Sequence, residues 1–187
     1  VYNTAIPATA AEPEVTALNI TNTQYSGGTQ TTQTWGFTAP ETTCPDLTGE
    51  YTISQLSENG VNNILVKQDY TEDGIRYRRE IRYIGSMTNP ASREDRTYRM
   101  FDWGEEIVSE TVGGGTTTYE YYTDGNGRSK QKKITYPQRN SITFLYNADN
   151  DVASQTEVRG NLTYVTTYEY GYDEANKKRT VTTVQKV

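Results

Sequence analysis

The chain repeats one short aromatic motif, as Tyr119-Glu120-Tyr121, Phe144-Leu145-Tyr146 and Tyr168-Glu169-Tyr170. The first residues of the three copies, at positions 119, 144 and 168, are 25 and 24 positions apart. Repetition at a nearly constant period of this length indicates one supersecondary unit that is used several times in succession. Because residues at alternate positions of a strand share a face, the motif predicts repeated β-hairpins with an aromatic packing face.

The sequence around these motifs also favours strands joined by tight turns. In residues 75–83, apolar side chains alternate with charged ones, as in a half-buried antiparallel strand. Pairs such as Asn59-Gly60 and Asp73-Gly74 supply the positive φ angles that hairpin turns require. We therefore predict an all-β protein, an antiparallel meander of about ten strands, and leave open whether it forms an open curled sheet, a sandwich or a barrel.

A change in composition near residue 48 suggests two regions. Residues 1–48 are rich in Pro and Thr, contain no Lys or Arg, and predict an extended N-terminal segment that is docked on the protein's own sheet or donated as a strand to another copy. Residues 49–187 predict the antiparallel β domain. The 16 Tyr residues compensate for the scarcity of aliphatic residues, because a Tyr ring buries apolar area while its hydroxyl stays hydrated or bonded.

The composition excludes several classes of function. The chain has no His, which removes the commonest general base and metal ligand, and its one cysteine, Cys44, is expected to be a small buried thiol. We predict no catalytic residues, no cofactor and no metal site, and hence a protein that is not an enzyme. A net charge of −6 argues against nucleic-acid binding, and no apolar run is long enough for a transmembrane segment.

Residues 116–187 resemble the repeats of the Rhs or YD-repeat family. The motif of that family, an aromatic residue, any residue, Tyr, and then Asp or Asn before a Gly turn, is similar to 144–152, with Asn150 at the Gly position. Residues 121–128 and 168–177 are similar to two further units, the latter with Asn176 at the Gly position, and 98–102 is a degenerate copy. The resemblance implies β-hairpins that pair into one long sheet, as in small secreted or surface proteins of bacteria, and it implies no catalytic residue.

Two groups of side chains present candidate sites of other kinds. Asn147, Asp149 and Asp151 place three oxygen-bearing side chains at alternate positions, as a calcium loop does, although a polar hairpin turn explains them as well. The acidic pairs Glu72-Asp73 and Glu105-Glu106 are adjacent in sequence, whereas a glycosidase needs two carboxyl groups that face each other across a cleft. We interpret both pairs as hydrated charge.

The sequence favours a non-enzymatic extracellular or cell-surface protein with a structural or interaction role in a larger assembly such as a filament. Its expected partners are other copies of the chain, contacted through the N-terminal segment. The alternative is a carbohydrate-binding β module that binds glycans on an aromatic platform. The residues of that platform would be Trp35, Trp103, Tyr121 and Tyr170.

Overall fold

A computed structural model describes the backbone of residues 17–26 and 29–38, and the backbone and side chains of residues 43–186. The strands are β1 (Ala17–Ser26), β2 (Thr29–Thr38), β3 (Thr52–Glu58), β4 (Val61–Glu72), β5 (Ile75–Gly85), β6 (Pro90–Phe101), β7 (Gly104–Val112), β8 (Gly115–Tyr121), β9 (Gln131–Thr135), β10 (Ser141–Tyr146), β11 (Val152–Arg159), β12 (Leu162–Asp173) and β13 (Lys178–Lys186). No helix occurs among the described residues.

The strands follow one another in the sheet in the order of the sequence, from β1 to β13. The first and the last strand each have one neighbour in this order, so the sheet is open. This confirms the predicted all-β antiparallel meander, and of the three arrangements the open sheet is the one found. Eleven strands lie in residues 52–186, and β1 and β2 add a hairpin within the segment that we expected to be extended. The rest of the segment 1–48 that we predicted to be docked or donated, namely residues 1–16, 27–28 and 39–42, lies outside the described residues.

The two tight turns that we predicted from Asn-Gly and Asp-Gly have the expected backbone. Asn59 and Gly60 have φ angles of +49° and +77°, and Asp73 and Gly74 have φ angles of +51° and +76°. Two successive positive φ angles define a type I′ turn, whose twist matches that of the strands it joins. These turns connect β3 to β4 and β4 to β5.

The chain divides into two compact units. The first unit comprises Val1–Gln68 and Ile81–Arg93, and the second comprises Asp69–Glu80 and Glu94–Val187. The first unit contains a small apolar core, in which the loop around Cys44 and Leu47 packs against β4 and β5. The buried core side chains are Cys44, Leu47, Ile64, Val66, Ile81, Tyr83 and Met87. Each of the larger ones contributes about 1.5–3 kcal/mol when it is removed from water.

A polar network fixes the loop to the sheet within the first unit. The Tyr83 hydroxyl donates a hydrogen bond of 2.6 Å to the Asp46 carboxylate, which also accepts one from Arg93 Nε at 3.1 Å. The Cys44 sulfur lies 3.3 Å from the Tyr83 hydroxyl, and the Cys44 N–H donates to the Tyr51 hydroxyl at 3.0 Å. Cys44 is 1% exposed, which confirms the prediction that it is a buried thiol.

The second unit is built differently, because it has no comparable core. Among its described residues only Gly127 is buried, and the strand side chains are half-buried or exposed. Its aromatic face can be traced through the register: Tyr119 lies opposite Ile134, which lies opposite Ile142 on the far side. On the other face, Glu120 lies opposite Lys133. The second unit is therefore one layer of sheet with an aromatic and a polar face.

Replacement of Tyr83 by Phe is expected to change the response of the protein to alkaline pH. Burial raises the pKa of the Tyr83 hydroxyl, and the hydrogen bonds to Asp46 and Cys44 raise it further. A raised pKa in the folded state means that the stabilising effect is complete below the unfolded pKa of about 10 and is lost as the pH rises above it. Urea unfolding at about pH 8 and about pH 11 should therefore show a smaller loss of stability for Tyr83→Phe than for the wild type.

The matched control is Tyr172→Phe, because Tyr172 is 54% exposed. This variant should lose as much stability between the two pH values as the wild type does. Equal losses in all three proteins would show that Tyr83 does not couple folding to proton binding.

Candidate functional site

The second tyrosine of each repeated motif has the same hydrogen bond in all three copies. Tyr121 donates its hydroxyl to the carbonyl oxygen of Ile107 at 2.9 Å, Tyr146 donates to Gln131 at 3.0 Å, and Tyr170 donates to Val152 at 2.9 Å. In each case the acceptor lies on the strand that precedes the tyrosine in the sheet. We call these three residues the capping tyrosines. Burial raises the pKa of Tyr121 and of Tyr146, so both hydroxyls keep their protons at neutral pH.

Each acceptor carbonyl lies next to a β-bulge. The pairing of β6 with β7 steps from Thr97–Ser109 to Tyr98–Ile107, which leaves Val108 as an extra residue. The same step leaves Lys132 extra in β9 and Ala153 extra in β11. Because a bulge interrupts the ladder and leaves backbone groups unpaired, the tyrosine hydroxyl supplies a hydrogen bond to the interrupted strand.

The residue opposite each bulge is itself a tyrosine. The opposite pairs are Tyr98 with Ile107, Tyr121 with Gln131, and Tyr146 with Val152. The second residue of each pair is also the acceptor of a capping tyrosine from the strand on its other side. Each bulge in β7, β9 and β11 is therefore held between a tyrosine on the strand before it and a capping tyrosine on the strand after it. Tyr98 therefore adds a fourth position to the series of repeated tyrosines, within residues 98–102, which we identified as a degenerate copy of the repeat.

Polar contacts also join the turns at one end of the second unit. The Gly127 N–H donates to Asn150 Oδ1 at 2.6 Å, and Arg128 forms an ion pair with Asp102. Farther along, Arg179 forms an ion pair with Asp151. The Arg128–Asp102 pair links the loop after β8 to the turn after β6, and the Gly127–Asn150 hydrogen bond links the same loop to the turn after β10. The Arg179–Asp151 pair links the turn after β10 to β13. Gly127 has φ of +80°, and a side chain there would overlap the ring of Tyr146.

Trp103, one of the predicted platform residues, is part of a stack and is not an open ring. Its indole stacks on Phe101 with centroids 4.5 Å apart and an angle of 11° between the rings. The Arg128 guanidinium lies 5.4 Å from the indole centroid, and the Arg99 guanidinium lies 4.5 Å from the centroid of Phe101. The N–H groups at Arg99 Nε and Trp103 Nε1 are buried in this stack without an acceptor among the described residues. A sugar would need a ring face that the stack already covers.

The other platform residues are not brought together. Tyr121 lies edge-on to Phe101, with centroids 5.6 Å apart, and is therefore near Trp103. Tyr170 is on β12, where Arg179 lies 4.9 Å from its ring centroid. Trp35 is on β2, with its backbone opposite Glu58, and its side chain lies outside the described part of the chain. Arg99 and Phe101 were not among the predicted site residues, although they alternate with Trp103 in the sequence.

Two of the grooves among the described residues of the second unit contain groups that could bind a ligand. One of about 310 Å³ is lined by Tyr77, Arg99, Phe101, Val108, Tyr119, Glu120 and Tyr121. The other, of about 340 Å³, contains two carboxylates, Asp69 and Glu105, which both bind Arg78, at 3.1 and 3.3 Å. Because both carboxylates bind the same arginine, we interpret this groove as an ion-paired cluster.

In the candidate calcium loop, the side chain of Asn147 binds the backbone of the turn. Asn147 Oδ1 accepts hydrogen bonds from the N–H groups of Asp149 at 3.0 Å and Asp151 at 2.9 Å, so it closes the turn. Asn150, which stands at the Gly position of the repeat, has φ of +61°, whereas in the next copy the positive φ falls on Lys177 and not on Asn176. In residues 43–186, no cluster of three metal-binding side chains was found.

No protein-family model matches the chain, and no curated protein or solved structure is significantly similar to it. In the part of the chain that the structure describes, no helix is long and apolar enough to cross a membrane. The interpretation of the site therefore depends on its geometry.

Replacement of Tyr121 by Phe should destabilise the protein more than replacement of Tyr119 by Phe. The first change removes the hydrogen bond to Ile107 and keeps the ring, which should lower the free energy of unfolding by about 1 kcal/mol. The second acts on the first position of the motif, where the sequence itself has Phe144 in another copy. Urea denaturation of both variants is the measurement. Equal effects of the two changes would show that the hydroxyl of the capping tyrosine has no special role.

Proposed function

We propose that the chain is a non-enzymatic structural or interaction protein of the extracellular space or cell surface, which acts within a larger assembly such as a filament. The observation that carries the proposal is the use of the polar groups in the second unit. The capping tyrosines and the charged residues of the turns bind neighbouring strands and turns of the same sheet. These side chains hold a sheet in shape and are not directed at a reactive centre.

The absence of a covering layer on the second unit supports the same proposal. Its described residues, apart from Gly127, are half-buried or exposed, so the sheet presents two broad faces. Exposed apolar residues occur on it, among them Leu145, Leu162 and Tyr172, each more than half exposed. Repeats that contact only their neighbours can be extended without a new core, which suits a protein that spans distance or presents surface.

The relation to YD-repeat proteins remains part of the proposal. It is supported by the regular placement of Tyr98, Tyr121, Tyr146 and Tyr170, one for each hairpin, and by the positive φ of Asn150 at the Gly position of the repeat. A secreted or surface location, in a bacterium, is what this relation implies.

Self-association tests the proposal. Light scattering of the purified chain over a range of concentrations should show a mass that rises above the 21.1 kDa of one copy, and electron micrographs should show elongated assemblies. Assembly is expected because no other described strand pairs with the outer edges of β1 and β13 and no second layer of described residues covers the second unit. A constant mass of one copy at every concentration, with no assemblies in the micrographs, would contradict it.

A carbohydrate-binding module is the second candidate, and one observation favours it. The groove of about 310 Å³ is bordered by Tyr77, Phe101, Tyr119 and Tyr121, with Arg99 beside them, which is a suitable lining for a sugar ring. A glycan array distinguishes the two candidates. Binding that is lost in a Tyr119→Ala variant, by a protein that stays a single copy, would replace the assembly proposal with this one.

A further inference from the structure

We propose that β13 of one copy pairs with β1 of a second copy, so that copies join head to tail through the two outer edges of the sheet. This inference rests on the proposed assembly and specifies the contact within it. The two strands are the ends of the strand order, and no described strand lies on the outer side of either. An unpaired edge presents a row of N–H and C=O groups to which another strand can bind.

The edge at β13 carries cations only at its two ends and lacks the bulges and prolines that protect many outer strands. All nine of its residues are exposed, it contains neither Pro nor Gly, and its register with β12 runs from Val165–Lys186 to Asp173–Lys178 without a bulge. In the earlier hairpins the equivalent second strand does contain a bulge, in β7, β9 and β11. Its central residues, 180–185, are uncharged and include Val181 and Val184, which are 52% and 48% exposed.

The edge at β1 is similar in length and regularity. Its ten residues are uncharged, and its pairing with β2 runs from Ala17–Thr38 to Ser26–Thr29 without a shift. A strand of ten residues and one of nine can pair along their whole length. Both edges therefore offer a regularly paired strand with an uncharged stretch, whereas the strands inside the second unit carry charged residues such as Glu110, Glu120 and Lys133.

Charge selects the unlike pairing of β13 with β1 over the pairing of β13 with itself. The first 66 residues, which include β1, contain six carboxylates and no Lys or Arg, so they account for the whole net charge of −6. Residues 177–186 contain four cations and no carboxylate. Two antiparallel copies of β13 would place Lys178 near Lys186 of the other copy, which is repulsive. A head-to-tail contact of unlike edges leaves one free edge at each end of a pair, so further copies can add and extend it into the proposed filament.

Cross-linking of variants that carry one added cysteine tests the contact in the full chain. Cysteines at Thr21 or Asn22 on β1 are mixed with cysteines at Thr182 or Thr183 on β13, and neighbouring positions are used because they point to opposite faces of the strand. A short bifunctional maleimide should give covalent dimers with one copy of each variant, several-fold above the control mixture. Cys44 is 1% exposed and does not compete.

The control is Thr118→Cys on β8, an exposed position on an inner strand. It should give no dimers with the β1 variants, because both edges of an inner strand are already paired. Dimers that join β13 to β13 would overturn the inference. Assembly of the wild type without any β1–β13 cross-link would overturn it and leave the proposed function intact, whereas a wild type that never assembles would remove both.

Discussion

The hydrogen bond from one tyrosine hydroxyl to the carbonyl beside a bulge is the interaction on which the second unit depends. It occurs at Tyr121, Tyr146 and Tyr170, and each time it joins a strand to the irregular part of the strand before it. A bulge weakens a ladder and bends it, so a sheet that repeats the bulge in β7, β9 and β11 needs a repeated contact to compensate. Tyrosine can make this contact because its ring packs on the sheet while its hydroxyl reaches the neighbouring backbone.

The two units reach stability by different means. In the first unit, side chains such as Val66 and Ile81 are fully buried, and each stabilises the fold through the hydrophobic effect. In the second unit the contributions are smaller, about 1 kcal/mol for each hydrogen bond and about 0.5–1.5 kcal/mol for an aromatic contact such as that of Phe101 with Trp103. Because each hairpin contacts mainly its neighbours, these contributions recur with every hairpin. The stability of the second unit therefore comes from the number of hairpins and not from a buried core.

The sequence predicts the strands, the tight turns and the aromatic face, because alternation and Asn-Gly or Asp-Gly pairs are local signals. It does not predict the capping hydrogen bonds, since each acceptor is known only when the register is known. The register depends on Val108, Lys132 and Ala153, which share no chemical property that marks a bulge. The stack around Trp103 was missed for a similar reason: Arg99 and Phe101 are close in sequence, but Arg128 comes from a loop 25 residues later. The core of the first unit requires a loop with Pro45 and Asp46 to cover the sheet, which no local pattern indicates.

The proposed assembly requires that the strands of the second unit stay paired although no other layer of described residues covers them. Amide hydrogen exchange, measured by NMR on dilute protein, tests this claim most directly. The account predicts that amides of β8–β12 are protected to a degree similar to those of β4 and β5 next to the core, because the ladder and the capping tyrosines hold them. Rapid exchange throughout β8–β12, with protection only in residues 44–93, would contradict it.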